Sequence, residues 1–390
     1  MRRIKQAVML FLTIPLLAGC ASGEPSINTA SPAVPTTINS AGQFPKAEAT
    51  EESTPTEAPA PSTEPTLEIP INPLTGLPAD PIKLNRRPVM VKVSNYPIEG
   101  RPHAGLSFAD IVFDYYIAPG TNRFLATFYG QDSAQIGPVR SGRFIDAQLV
   151  RMYAGLLGYG GADEDTEAEL VSVLGRRAIS YLEAPCPAFC GIETHSVDGV
   201  FANSAEISYY ANIEGINNKQ PDLPGMVFSE ETPSGGRYGE TLLVLYNYMN
   251  RGEWRYDHPS GKYLRWIEEP NAELGDGYRM IPLEDRVTGE QLAFSNVIII
   301  RAHYEELAPS RQIVDIWGND KGQQAYFFRN GQVFNGTWRA KNDTDPIHFY
   351  HADGSPMPLK PGNTWIVIAG NSSTFNETSP SNWEMFFFLP

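Results

Sequence analysis

The sequence predicts an α+β protein, with a mixed α/β-sheet domain in the N-terminal half and a mostly β domain in the C-terminal half. Three observations carry this. Between residues 87 and 228, runs that alternate like strands are interleaved with segments whose apolar residues recur at helical spacing. After SEETPSGGRYGE, residues 229–240, one β-rich run follows another with no helical period between them. The first 70 residues have a different composition and belong to neither half.

The chain opens with MRRIKQAVMLFLTIPLLAGC. Arg2, Arg3 and Lys5 form a positive head, and residues 7–18 form an apolar run too short to span a bilayer comfortably. Residues 1–20 therefore read as a signal peptide. The run ends in Leu17-Ala18-Gly19-Cys20, which resembles a bacterial lipobox. By that resemblance Cys20 would be lipidated and become the mature N-terminus; a plain secretion signal is the alternative. Two or more acyl chains anchor a protein stably, and no second long apolar run is present.

Residues 21–70 hold nine prolines, fourteen Ser or Thr, seven Glu against one Lys, and a single aromatic residue, Phe44. Such a segment buries too little apolar surface to offset the entropy of ordering, so it reads as a disordered stalk. A flexible chain of this length averages roughly 40 Å end to end, and a proline-rich one somewhat more.

Within the body, RPVMVKVSN, residues 87–95, alternates like a strand, and 106–110 fits one helical turn. ADIVFDYYI and NRFLATFYG follow as a hairpin or adjacent strands around Ala118-Pro119-Gly120-Thr121. IGPVRSGR, residues 136–143, leads into Phe144, Ile145, Leu149, Val150 and Tyr153 at helical spacing, so it joins a strand to a helix with Ser141 or Gly142 near the helix start. Residues 154–159 form a short strand ending in Gly160-Gly161. ADEDTEAELVSVLG is a helix with Asp163 as N-cap, acids in its first turn and Gly175 as its stop. NSAEISYYANI is another capped helix. These elements place an N-terminal domain at 71–228. ETLLVLYNY, EWRYDHPSGKYLRWI, LAFSNVIIIRA, RQIVDIWG, QAYFFRNGQVFNGTW and TWIVIAG are strands of a C-terminal domain at 240–390, with hairpin turns at Asn330-Gly331 and Asp353-Gly354.

The segments NPLTGLP, RPVMVKVSN, GLSFADIVFDYY, TNRFLATFYG, IGPVRSGR, GQVFNGTW and KPGNTWIVI, in this order, resemble the YerB-like lipoprotein family. The likeness runs from about Asn72 to Ile368. It implies an α+β N-terminal domain, a smaller β-rich C-terminal domain and a bacterial cell-envelope lipoprotein. It implies no reaction and no catalytic residues. The family carries a histidine before an asparagine in the region of GIETHSVDGVFAN; here His195 is followed by Ser196.

Charge excludes some functions. The chain carries −15 and its body −12, which argues against nucleic acid and against lying flat on anionic lipid. IGPVRSGR departs locally in sign. Two readings are open: Arg140, Ser141, Arg143 and upstream Arg123 converge on an anion such as an acidic glycan or phosphate, or the arginines pair with Asp110, Asp114 or Asp146. Asp163 and Glu164 after Gly-Gly could face a cleft or simply cap a helix. His195, near Glu193 and Asp198, could be oriented for base work or be structural. Cys186 and Cys190 could close as a small disulfide or remain thiols. The tryptophans and tyrosines of the C-terminal half, Trp254, Tyr256, Tyr263, Trp266, Trp317, Trp338 and Trp365, either stack on sugars or fill a β core. No metal site, cofactor motif or hydrolase signature is expected. The sequence thus points to a lipid-anchored, extracytoplasmic protein that binds or scaffolds at the cell envelope, with an envelope protein or acidic glycan as partner. The alternative is a hydrolase or transferase acting on an envelope polymer, with Arg140, Arg143, Asp163 and His195 in one cleft.

Overall fold

In the computed structural model the described residues are 69–191, 199–269, 279–309 and 311–389. Cys20, the signal, the stalk up to residue 68 and His195 lie outside them.

The N-terminal half begins with a short helix α1, Pro81–Leu84, and the strand β1, Val89–Ser94. A 3-10 turn at Leu106–Phe108 precedes the hairpin β2, Ile111–Ala118, and β3, Thr121–Phe128. Helix α2, Phe144–Met152, leads to β4, Leu156–Tyr159, and helix α3, Glu164–Leu174. Asp163 caps α3 by accepting from Thr166 N–H, and Gly175 ends it at φ 58°. Then come β5, Ala178–Ser180, and the small ribbon β6, Phe189–Cys190, with β7, Phe201–Ala202. Cys186 and Cys190 are joined in a disulfide at this ribbon. Helix α4, Ser204–Ile213, is capped by Asn203.

The C-terminal half is built of strands: β8, Arg237–Tyr238; β9, Thr241–Asn247; β10, Asn250–Asp257; β11, Lys262–Glu268; β12, Met280–Pro282; and β13, Ala293–Phe294. They continue with β14, Asn296–Ala302; β15, Tyr304–Ala308; β16, Arg311–Val314; β17, Asn319–Arg329; and β18, Gln332–Ala340. The last are β19, His348–His351; β20, Thr364–Gly370; β21, Thr374–Ser379; and β22, Asn382–Phe386. The Asn330-Gly331 turn closes β17 on β18, with both residues at positive φ as a tight hairpin requires.

The larger sheet has eleven strands in the order β19-β18-β17-β14-β20-β2-β3-β1-β4-β5, with β8 beside β18. Its centre is the parallel pair β2 and β20, from Ile111 opposite Thr364 to Tyr115 opposite Ile368. The division drawn from sequence between 228 and 240 is therefore crossed by one sheet, and residues 66–390 form one compact unit. A second sheet runs β12-β11-β10-β9-β22-β21, with β13 on β11. The sequence reading of β1 as an alternating strand needs correction. All six of its residues, Lys92 included, are buried, because the strand sits between β3 and β4 with both faces covered.

Aromatic side chains fill the space between the sheets. Trp365 meets Phe124 at 4.9 Å, Trp254 at 5.1 Å and Phe294 at 5.3 Å between ring centroids. Trp254, Trp338, Trp365 and Tyr263 are fully buried, which assigns them to the β core rather than to a sugar. Set among them is one carboxylate. Asp114 Oδ1 accepts from Tyr246 Oη at 2.9 Å and from Asn122 Nδ2, and Oδ2 accepts from Trp365 Nε1 at 3.2 Å. Burial pushes its pKa up; the Arg265 charge and the three donors oppose the shift.

Asp114→Ala should lower stability by about 2–4 kcal/mol, because it leaves three buried donors without an acceptor. Asp114→Asn, which keeps one acceptor oxygen, should lose less. Urea midpoints of the two variants, at equal slope, measure the difference. An Asp114→Ala protein as stable as the parent would show that the carboxylate does not hold the sheets together.

Candidate functional site

Sheet register builds one face of the site. Arg123 on β3 lies opposite Ser94 on β1 and opposite Tyr115 on β2. Side chains two apart on a strand share a face, so Lys92 joins them. IGPVRSGR then runs over the end of β1. Ser94 N–H donates to Pro138 O at 2.8 Å and Arg140 N–H to Lys92 O at 2.9 Å. The other side of the loop is held by the turn after β4: Gly160 N–H donates to Arg140 O at 2.8 Å and Gly142 N–H to Gly161 O at 2.9 Å. Gly142 packs closely on α3: a Cβ there would lie 2.7 Å from Leu170 Cδ1 and push that side chain aside. The site thus sits at the carboxyl ends of the parallel strands β1 and β4, where open α/β sheets place their clefts.

Helix α2 starts in this loop, with Arg143 as its N-cap. Asp146, three residues on, reaches back to accept from Arg143 N–H at 2.7 Å through Oδ2. Its Oδ1 accepts from Lys92 Nζ at 3.1 Å and from Tyr115 Oη, and Tyr115 Oη also accepts from Lys92 Nζ. Lys92 and Asp146 are both fully buried. Burial lowers the lysine pKa to about 7; Asp146 opposes the shift, while Arg123 and Arg143 add to it.

Arg123 and Arg143 have no carboxylate bonded to their guanidinium groups among the described residues. Arg123 Nη1 donates to Ser141 O and Arg143 Nη1 to Gly142 O, each at 2.7 Å. The Nε of each is buried without a hydrogen-bond partner. Burial and then the charges of Arg143 and Arg140 bring Arg123 down to about 9. Arg143 is lowered too, chiefly by burial, with Asp146, Tyr115 and Asp163 opposing. Among the described residues neither guanidinium forms an ion pair.

The ion-pair reading of this loop is therefore corrected for these two arginines. Asp110 is occupied by Asn72 and the amides of Tyr129 and Gly130, Asp114 by Asn122, Tyr246 and Trp365, and Asp146 by Lys92, Tyr115 and the Arg143 amide. Each acid sits where the sheet offers it nearer donors. Of the residues singled out from sequence, Arg123, Arg140, Ser141 and Arg143 come together. Asp163 stands on the next turn, capping α3 and paired with Arg311 at 3.2 Å. Glu164 is exposed beside it. His195 falls outside the described residues. Sequence reasoning missed Lys92 and Tyr115. The signal for Lys92 was a lysine inside VMVKV, a run of otherwise apolar residues.

The arginine cluster does not line the cavity of about 590 Å³ that opens between the 233–237 segment and the β18–β19 edge, lined by Arg237, Asn335, His351 and Asp353 among others. Its lining contains no buried charge of the Lys92 kind, so the chemistry is concentrated at the loop.

Comparison with known proteins places the chain. Residues 74–213 match the N-terminal domain, and residues 243–366 the C-terminal domain, of a family described as protein of unknown function (DUF3048). A protein of Bacillus subtilis (strain 168) named "Putative lipoprotein YerB" is 29% identical over 309 residues, covering 76% of this chain and 85% of that protein. The crystal structure of the YerB protein from Bacillus subtilis superposes with a TM-score of 0.63 at 28% identity, covering 77% of this chain and 96% of the other. The fold is α+β, and the chain belongs to the YerB-like family.

Proposed function

We propose that this protein is an envelope lipoprotein, anchored through Cys20 outside the membrane, that binds an anionic group at the IGPVRSGR cleft. The leader and the name of the Bacillus subtilis relative support the anchor. Among the described residues no helix is long and apolar enough to cross a membrane. The observation that carries the binding reading is the pair Arg123 and Arg143. Both are largely buried, burial lowers the pKa of each and a neighbouring arginine adds to it, and both are held by main-chain carbonyls instead of carboxylates. In a chain of −15 such a concentration of positive charge is costly unless an anion completes it. A binding role fits this geometry better than hydrolysis, because the groups gathered there are cations and their positioning partners.

Three outcomes are expected. Cys20→Ala should move the protein from the membrane to the soluble or medium fraction, or trap it unprocessed; correctly processed Cys20→Ala protein recovered in membranes would end the anchor reading. Arg143→Lys keeps the charge but not the planar fork, so it should keep the melting temperature and weaken anion binding about tenfold. Lowered stability with unchanged binding would make the loop purely structural. The third concerns pH. Lys92 is faced by Tyr115 from β2, Arg123 from β3, and Arg143 and Asp146 from the start of α2. It is charged below about 7 and neutral above, so the site loses one positive charge as pH rises. Sulfate affinity, measured by calorimetry between pH 6 and 8.5, should fall, and in Lys92→Met it should stay flat. Equal slopes in both proteins would remove Lys92 from the site's electrostatics.

A further inference from the structure

Resting on the anion-binding reading, we infer that the cleft is built for a tetrahedral dianion, a phosphate monoester or inorganic phosphate, rather than for a carboxylate. The first argument is charge. While Lys92 is protonated, Lys92, Arg123 and Arg143 stand against Asp146, which leaves two positive charges even with Arg140 set aside; Asp163, the other described carboxylate that acts on Arg143, is already paired with Arg311. Both Asp146 oxygens are already engaged, Oδ2 by the Arg143 amide and Oδ1 by Lys92 and Tyr115, and neither Arg123 nor Arg143 bonds to it through its guanidinium. A carboxylate ligand would neutralise half of the excess and a dianion all of it.

The second argument is donor count and direction. Arg123 comes from the sheet and Arg143 from the helix cap, and each spends one terminal N–H on the carbonyl of Ser141 or Gly142. The rest of each fork remains to donate, including the buried Nε atoms that have no partner. One guanidinium satisfies a planar carboxylate in bidentate fashion. Two from different elements are better matched by an acceptor with oxygens in more than one plane. The first-turn amides of α2 at Phe144 and Ile145, which have no acceptor within the helix, supply further donors beside the Arg143 cap.

The test titrates the detergent-solubilised full-length protein with potassium phosphate, sulfate and acetate at pH 7 and constant ionic strength. Phosphate and sulfate should bind at least tenfold more tightly than acetate. Arg123→Lys should shrink that ratio severalfold at an unchanged melting temperature. Should that variant not fold, Arg143→Lys should shrink it as well. Glycerol phosphate and phosphatidic acid in the same detergent separate the sources. Binding of glycerol phosphate assigns a soluble or polymer-borne ester, and binding of phosphatidic acid alone assigns a lipid headgroup. Acetate binding as tightly as phosphate, with Arg143→Lys weakening both, would overturn the dianion while leaving the anion site. Absence of binding by every anion would overturn the site itself.

Discussion

The buried carboxylate of Asp114 fixes the middle of this structure. It takes donors from β3, β9 and β20, which belong to both sheets and both halves of the sequence. An aspartate without water is costly, and full hydrogen bonding beside a cation offsets that cost. Asp114 faces the second sheet, and because side chains alternate along a strand, its neighbour Tyr115 faces the other way. There it meets Lys92 and Asp146. A slip of one residue in the pairing of β2 with β20 would turn Tyr115 into the aromatic core and Asp114 toward the arginines. The register that closes the core is the register that assembles the arginine cluster.

The cluster itself is an electrostatic exception. A body of −12 surrounds a knot in which lysine and arginines outnumber carboxylates. Asp146 prevents this from being merely repulsive. It neutralises the lysine from below and secures the start of α2 from above, so the arginines stay ordered although they crowd each other. The same arrangement keeps Asp146 from pairing with them. Cations held in position by main-chain carbonyls lose little of their capacity to receive a ligand.

What could be read from the sequence was local. Asp163, Asn203 and Gly175 mark their helix ends by chemistry that acts within a few residues, and Asn330-Gly331 marks its hairpin in the same way. The arginine loop was legible because it reverses the local sign of the chain. The partnership of β2 with β20 was not, since parallel pairing across most of the chain leaves no periodic trace. Lys92 and Tyr115 escaped for the same reason. They meet Arg123 through pairings among three strands, and nothing in VMVKV says which neighbours cover it. Asp110 and Asp114 looked like partners for the arginines by proximity in sequence; the sheet turned them to other donors.

The position of β20 also sets a clock. Asp114 and Trp365, which touch across the central pair, are 251 residues apart. At the roughly 5–20 residues per second of bacterial-type synthesis, the second appears about 13–50 s after the first. Through that interval β2 keeps one edge unpaired, and an unpaired edge invites other strands. The chain cannot complete its N-terminal half while the ribosome works on the rest. The central pair closes only after β20, Thr364–Gly370, has been made.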